Sequence, residues 1–193
     1  MISLLYSISC DLARKSKLSQ TISMKEIEIK ILEVDVDDLI TRLLDFGARQ
    51  VFDGQMNVKF YDFTDRRLKK EKKFARLRQV GDEVEFTVKQ KISQDQAKIV
   101  NEYEVNVSDF AQMHTILTQM GLEVHRHYRK HRTSYIIERV RFELDTIENT
   151  PTLLEIEAPS IEELYRWVEK LGYPQEKALP WSGSDVLKHY GKL

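Results

Sequence analysis

The chain has 193 residues, of which 41% are hydrophobic and 32% are charged, which suits one globular domain with a substantial core. Lysine and arginine (30) nearly balance aspartate and glutamate (31), so no net field draws the protein to nucleic acid or to an anionic membrane. The single cysteine, Cys10, excludes an internal disulfide framework and a multi-cysteine zinc site. This cysteine usage agrees with a reducing, cytoplasmic location.

Residues 1–23 differ in character from the rest of the chain. They are rich in serine, and a short apolar run from Ile2 to Ile8 precedes the basic residues. A signal peptide has the opposite order, and a membrane span needs roughly 20 apolar residues. We therefore expect 1–23 to be a flexible leader outside the fold, and 24–193 to be a single domain.

The stretch Met24–Ile31 alternates strictly between charged and apolar side chains. Glu26, Glu28 and Lys30 share one parity, and isoleucines occupy the other. This pattern predicts a strand with one charged face and one apolar face. A solvated edge strand would give the same short pattern, so the row does not define a site by itself.

Three amphipathic helices are predicted, each beginning at a capping side chain and ending at a glycine. They run from Asp35 or Asp37 to Gly47, from Ser108 to Gly121, and from Ser160 to Gly172. Each helix has one apolar face that must be covered.

Seven further runs rich in Val, Ile, Phe, Tyr and Thr predict strands. They lie at 49–63, 73–81, 83–91, 98–107, 122–137, 139–147 and 152–158. Turn sequences at 81–82 and 149–151 connect neighbouring runs. With the first strand there are about eight, mostly joined as neighbours, so an antiparallel α+β architecture is favoured over a parallel, doubly wound one.

Charged residues keep to one parity on most of these strands, for example Arg76 and Arg78, or Glu102 and Glu104. The three helices can cover the apolar face of the sheet, so the charged face would turn inwards if the sheet closed. Closure would create a barrel with a polar, charged lumen. An open sheet with a solvated charged face is the alternative, and the pattern alone leaves closure open.

These residues, taken in order over 24–193, resemble the CYTH superfamily of triphosphate tunnel metalloenzymes. That superfamily includes class IV adenylyl cyclases, thiamine triphosphatases and inorganic tripolyphosphatases. The resemblance begins with an ExExK motif at Glu26, Glu28 and Lys30, and it continues through the stretch 60–65. The remaining matches are Leu68, Arg76, Arg78, Thr87, Lys89, Glu102, Glu104, Lys130, Arg132, Tyr135, Asp145, Glu155 and Glu157.

The resemblance implies an eight-stranded antiparallel β-barrel, or tunnel, with flanking helices. Its triphosphate-binding cations would be Lys30, Arg76, Arg78, Lys89, Lys130 and Arg132. The ligands of Mg²⁺ or Mn²⁺ would be Glu26, Glu28, Asp145, Glu155 and Glu157. Catalytic roles would fall to Glu28, Lys30 and Arg132. Supporting roles would fall to Glu102, Glu104 and Tyr61, with the two glutamates as further ligands or as arginine partners.

We expect a metal-dependent enzyme that binds a small-molecule triphosphate and hydrolyses a phosphoanhydride. One alternative is a class IV adenylyl cyclase, and another is a non-catalytic polyphosphate- or nucleotide-binding module. The sequence leaves open the identity of the triphosphate and whether the chain forms a homodimer. No role is assigned to the tail, because the stretch 183–187 departs from the family pattern.

Overall fold

The computed structural model describes residues 24–193, so the predicted leader at 1–23 lies outside the described range. The strands are β1 (Met24–Ile31), β2 (Arg49–Phe63), β3 (Lys73–Val80), β4 (Glu83–Gln94), β5 (Lys98–Val107), β6 (Leu122–Ile137), β7 (Val140–Ile147) and β8 (Leu153–Glu157). The α-helices are α1 (Val36–Asp45), α2 (Arg67–Lys70), α3 (Phe110–Gln119), α4 (Ile161–Lys170) and α5 (Gly183–His189). A 3₁₀ turn occupies Gln175–Lys177.

The eight strands form one closed antiparallel barrel in the order β1-β5-β4-β3-β2-β6-β7-β8. β1 closes the ring, because it pairs with β5 on one side and with β8 on the other. The predicted α+β fold with an eight-stranded antiparallel barrel is therefore confirmed. The charge pattern left closure open. Because the ring is closed, the charged residues that alternate along the strands face its inside.

The apolar face of β1 packs outwards against two helices. Ile29 is fully buried in one core cluster with Leu39 and Leu43 of α1 and with Leu164 of α4. Burying an aliphatic side chain of this size contributes about 1.5–3 kcal/mol. Because side chains alternate across a strand, this packing holds the charged residues of β1 in the lumen.

Two smaller clusters complete the packing of the helices against the barrel. Leu117 of α3 packs with Leu77 of β3 on the outer face in one cluster. Val186 and Leu187 of α5 pack in the other with Leu153 of β8, which lines the lumen. Helices α1, α3 and α4 therefore cover the barrel exterior, whereas α5 packs against one end of the lumen.

Side-chain caps begin the three predicted helices. Asp35 and Ser160 cap α1 and α4 as predicted, each accepting a hydrogen bond from a backbone N–H of its first turn. The prediction of Ser108 as the cap of α3 is wrong, because Asp109 takes this position and accepts from the Gln112 N–H. A carboxylate satisfies the same donor and also interacts favourably with the helix dipole.

Helix α2, which no sequence pattern predicts, is held by one buried carboxylate. Asp62 accepts hydrogen bonds from the backbone N–H groups of Phe63 (2.8 Å), Leu68 (3.0 Å) and Lys69 (3.1 Å). Arg66 precedes the helix in a left-handed conformation with φ of 59°. The four-residue helix is too short to show an apolar periodicity, so it depends on this anchor.

Candidate active site

Strand β1 contributes three buried charged side chains to the lumen, Glu26, Glu28 and Lys30. The Lys30 ammonium lies 2.6 Å from Glu28 and 2.6 Å from Glu155 of the adjacent β8. Burial alone would lower the pKa of Lys30, but the two carboxylates outweigh it and raise the pKa above its usual range. Lys30 is therefore a permanent cation at this position.

Two further lysines approach the carboxylates of β1 from the neighbouring strands. Lys89 of β4 forms an ion pair with Glu26 and lies 3.2 Å from Glu102. Lys98 of β5 donates a hydrogen bond to Glu28 at 2.7 Å and lies 3.9 Å from Glu26. Lys98 is absent from the predicted site, although it is buried in the lumen.

Strand β3 supplies two arginines that face acidic partners on β4 and β5. The Arg76 guanidinium lies 3.4 Å from both Glu102 and Glu104. Arg78 Nε donates to Glu85 at 2.5 Å. Burial and the adjacent charge of Arg78 lower the pKa of Arg76 from its usual value. Glu102 and Glu104 thus both contact Arg76 in this structure.

The densest ion-pair cluster joins β6, β7 and β8 around Asp145. Its carboxylate accepts from Lys130 Nζ at 2.6 Å and from Arg132 Nε and Nη2 at 2.6 Å each. Arg132 also pairs with Glu143 and lies 3.7 Å from Glu155. Burial by itself raises the pKa of Asp145, but Arg132 and Lys130 outweigh burial and lower the pKa. Asp145 therefore stays ionised beside Arg132, whereas burial and the charge of Arg132 lower the pKa of Lys130 to about 7.

Glu157 differs from the other predicted metal ligands, because it has no salt-bridge partner within the range 24–193. It lies directly opposite Glu28 in the pairing of β1 with β8. Burial, and then the charges of Glu26, Glu155 and Glu28, raise the pKa of Glu157 to about 7. Glu157 is thus a lumen carboxylate whose negative charge is not balanced by a neighbouring cation of the described chain.

The unbalanced charge of Glu157 fits a divalent metal ion. All five predicted ligands line the same lumen. In the described part of the chain, no three acidic, histidine or cysteine side chains already converge as metal ligands would. Four of the five predicted ligands form ion pairs with lysine or arginine instead of approaching one another. Carboxylate oxygens suit Mg²⁺ or Mn²⁺, and Glu157 is the predicted ligand that lacks a positive charge beside it in the described chain.

The lumen has a volume of about 860 Å³. All predicted cations line it, namely Lys30, Arg76, Arg78, Lys89, Lys130 and Arg132. Tyr61 belongs to the outer core cluster, and its hydroxyl lies 2.9 Å from Nδ1 of His114 on α3. Tyr61 is also among the residues that line the lumen, but its hydroxyl is directed to α3 and supports the packing of that helix.

Helix α5 lies at one end of the lumen. We call this end of the lumen the α5 mouth, and the side chains that line it include Arg66, His125 and Arg126. Arg126 of β6 hydrogen-bonds to Ser184, and Gln94 of β4 donates to Asp185 at 2.9 Å. The helix therefore spans from β4 to β6. Ser182 and Ser184 line the lumen, so the tail is part of the site although the sequence assigned it no role.

Several lumen residues are missing from the sequence prediction. Glu85 and Glu143 lie on the charged parity that the pattern identified, so the same rule would have found them. Arg126 shares the parity of Lys130 and Arg132 on β6 and could have been found likewise. Lys98 is harder to find, because Val100 interrupts the charged parity of β5.

A sequence profile comparison now gives the class of protein that this fold and site define. The profile of the CYTH domain matches residues 24–180, which is most of the chain, and the chain belongs to this family. No curated protein matched the sequence. Within the described range, no helix combines the length and apolar character that crossing a membrane would require.

Solved structures share the fold at low sequence identity. A protein from Pyrococcus horikoshii is 21% identical with a TM-score of 0.72, covering 83% of this chain and 98% of its own. A Vibrio parahaemolyticus protein, described as a candidate adenylate cyclase, is 18% identical with a TM-score of 0.76, covering 86% and 99%. A Hippeastrum protein, described as a candidate adenylyl cyclase with a dominant triphosphatase activity, is 17% identical with a TM-score of 0.63, covering 87% and 97%.

Proposed function

We propose that this protein is a divalent-metal-dependent triphosphatase that hydrolyses the terminal phosphoanhydride of a triphosphate bound in the lumen. The observation that carries the proposal is a lumen in which paired cations and carboxylates lie side by side while one carboxylate has no cation. Six predicted phosphate-binding cations line the lumen, and Glu157 is a carboxylate with no cationic partner among the described residues. A metal–triphosphate complex would bring phosphate oxygens to the cations and a positive charge to Glu157.

The cations would bind and orient the triphosphate. A triphosphate carries about four negative charges, which cannot be buried without compensation. Arg76 and Arg78 offer planar forks, whereas Lys30 and Lys89 offer compact charges, so the set can contact phosphate oxygens from several directions. Each of these cations now contacts a carboxylate, and an incoming phosphate would take over part of that contact.

Mg²⁺ or Mn²⁺ would be held by Glu26, Glu28, Asp145, Glu155 and Glu157, which all line the lumen. When bound, such an ion supplies Lewis-acid polarisation of a phosphoryl oxygen and lowers the pKa of a water ligand. Lys30 and Arg132 would stabilise the negative charge of the reacting phosphate, because both are buried and their pKa values lie above the usual range. Glu28 would position Lys30, to which it is bonded at 2.6 Å.

A class IV adenylyl cyclase is the second candidate. Its support is the description of the Vibrio parahaemolyticus protein and the presence of aromatic side chains in the lumen, Phe60, Phe74 and Tyr128. In a cyclase the ribose 3′-hydroxyl attacks the α-phosphate and pyrophosphate leaves. In a triphosphatase, water attacks the terminal phosphate.

Product analysis distinguishes the candidates. The protein is incubated with ATP, thiamine triphosphate or inorganic tripolyphosphate in the presence of Mg²⁺ or Mn²⁺, and the products are separated. Orthophosphate together with a diphosphate supports hydrolysis, whereas cyclic AMP with pyrophosphate supports the cyclase. Tight binding of all three compounds without turnover would contradict both and identify a binding module.

Matched arginine variants test whether turnover depends on the lumen. Arg76→Gln removes a lumen cation, and Arg129→Gln removes an exposed cation from β6. We expect Arg76→Gln to lower triphosphate affinity by about 2 kcal/mol, since it removes a charged hydrogen-bond donor. Arg129→Gln should leave affinity and turnover unchanged. Equal behaviour of the two variants would remove Arg76 from the site.

A further inference from the structure

Four buried side-chain nitrogens in residues 24–193 have no hydrogen-bond partner. They are the Nε atoms of Arg66, Arg76 and Arg126 and the Nε2 atom of His125. All four residues line the lumen. Buried polar groups are nearly always paired, and an arginine Nε–H can only donate. Arg66 Nε has the Asp62 carboxylate at 3.4 Å, whereas no acceptor of the described chain lies within hydrogen-bonding geometry of the other three nitrogens.

Three of these four residues lie at the α5 mouth, and Arg126 is separated from the predicted phosphate-binding Arg76 by one strand position, Phe60 of β2. His125 and Arg126 lie on the first half of β6, and Arg66 precedes α2. Burial lowers the pKa of Arg126, and the neighbouring charge of Arg66 lowers it further. Two guanidinium groups that repel each other, of which Arg126 has no carboxylate within salt-bridge distance in residues 24–193, favour an anion at this mouth.

The carboxylates near the two arginines are already engaged. Asp62 lies 3.4 Å from Arg66, but it accepts three backbone hydrogen bonds that hold α2. Asp185 bonds to Ser182 and to Gln94. Arg126 has no salt bridge to any carboxylate of the described residues, and its bond to Ser184 involves a neutral hydroxyl. The positive charge of this pair is thus incompletely balanced by the protein itself.

One face of Phe60 at the same mouth is already covered. The Arg126 guanidinium covers the face of Phe60 at 4.0 Å from the ring centroid. Phe60 also contacts Phe74 and Tyr128, with ring centroids 5.7 and 6.0 Å away. A nucleobase would have to displace the guanidinium to stack on this face of Phe60. An anion could bind with the guanidinium where it is.

We infer that the α5 mouth is a subsite for one phosphate group beyond the three that the central cations hold. The ligand class is a chain of four or more phosphates, either inorganic or esterified at one end. This inference rests on the proposed binding of triphosphates in the lumen. Arg66 and Arg126 would contact the additional phosphate, and His125 would supply a further hydrogen bond.

Calorimetric titration with phosphate chains of different length tests the subsite. Inorganic tripolyphosphate is compared with tetrapolyphosphate, and ATP with adenosine 5′-tetraphosphate, at constant free Mg²⁺ and ionic strength. We expect the fourth phosphate to tighten binding about tenfold in the unaltered protein. The double variant Arg66→Gln with Arg126→Gln should lose this gain while its tripolyphosphate affinity stays within about twofold.

Two controls remove cations of the same elements that do not line the lumen. Arg67→Gln changes the residue next to Arg66, and Arg129→Gln changes an exposed position of β6. Both controls should keep the gain, which excludes a general effect of net charge. The single variants Arg66→Gln and Arg126→Gln, each expected to lose part of the gain, serve if the double variant does not fold.

The outcomes separate this inference from the proposed function. Equal affinity for three and four phosphates in the unaltered protein overturns the subsite but leaves triphosphate binding intact. Equal loss of both affinities in the Arg66 and Arg126 variants also overturns it, because the arginines would then belong to the triphosphate site. No binding of any compound overturns both. A gain with inorganic chains alone, or with both chain types, identifies the source of the additional phosphate.

Discussion

Glu28 and Glu157 face each other across the pairing of β1 with β8, and their surroundings are opposite. Glu28 accepts from Lys30 at 2.6 Å and from Lys98 at 2.7 Å. Glu157 has no cation within salt-bridge distance in the described chain and has a raised pKa. Two carboxylates on adjacent strands therefore contribute to the stability of the metal-free protein with opposite sign.

Replacing each of these glutamates by glutamine separates the two contributions. Glu157→Gln removes an uncompensated charge, so the free energy of unfolding of the metal-free protein should rise by about 1 kcal/mol. Glu28→Gln leaves two buried lysines without one of their carboxylate partners, so the free energy of unfolding should fall by about 3 kcal/mol. Urea unfolding in the presence of a chelator measures both. A change of the same sign in the two variants would contradict this assignment.

Lys98 is the lumen lysine whose loss should be compensated by metal. Lys98→Met leaves Glu28 with one fewer cation and should lower the free energy of unfolding without metal by about 2 kcal/mol. A divalent ion can replace the missing charge, so Mg²⁺ should raise the melting temperature more in this variant than in the unaltered protein.

The matched control for Lys98 is Lys91→Met. Lys91 also lines the lumen, but it donates to the neutral Gln94 at 2.9 Å. Its removal should change neither the metal-free melting temperature nor the response to Mg²⁺ by more than about 1 °C, which corresponds to a few tenths of a kcal/mol. Identical Mg²⁺ responses in the two variants would show that Lys98 does not compensate the carboxylates.

At the scale of elements, α5 depends on a single carboxylate for its position across the mouth. Asp185 closes a capping box with Ser182 and accepts from Gln94 of β4. Val186 and Leu187 then pack against the end of the barrel. One side chain thus links the start of the helix to a strand of the tunnel wall.

Asp185→Ala should release α5 while the barrel stays folded. Loss of the cap costs about 1 kcal/mol, and the link to Gln94 is lost in addition. Amide hydrogen exchange of Gly183–His189 should therefore accelerate about tenfold, whereas exchange in β1 should not change. Asp185→Asn keeps an acceptor and should behave almost like the unaltered protein. Accelerated exchange throughout the barrel would contradict a local role.

At the scale of the whole molecule, the ring of strands is complete within residues 24–193. β1 begins at Met24 and is paired on both sides, and the CYTH profile match also begins at residue 24. A chain that starts at Met24 should therefore keep the melting temperature and activity of the full chain. A decrease of several degrees on truncation would show that residues 1–23 contribute to stability.

Local patterns were sufficient to predict most of the fold. Strict alternation located β1, and the strands at 49–63, 98–107 and 122–137 have the predicted bounds. Closure was not predictable from alternation, because an open sheet has the same pattern along each strand. It became an expectation only through the resemblance of the ordered motifs to a known family.

The site was less predictable than the fold, for reasons that differ between residues. Arg126 follows the alternation of β6 and was within reach of the same rule. Arg66 was not predictable from alternation, because it lies in a turn with φ of 59°, where no periodicity applies. Tyr61 entered the prediction through the resemblance alone, whereas alternation from Phe60 in the lumen places it on the outer face.

Closure of the barrel also limits how this chain can associate with other chains. An open sheet exposes two edge strands whose free N–H and C=O groups can pair with a neighbouring molecule. In the described ring, every strand has a partner on both sides, and the segments paired on one side only are ends of strands, such as 49–55 of β2 and 103–107 of β5. Tyr103 and Val105 on the outside of β5 are exposed at one of these ends. The architecture that encloses the charges therefore also restricts strand addition to the ends of strands.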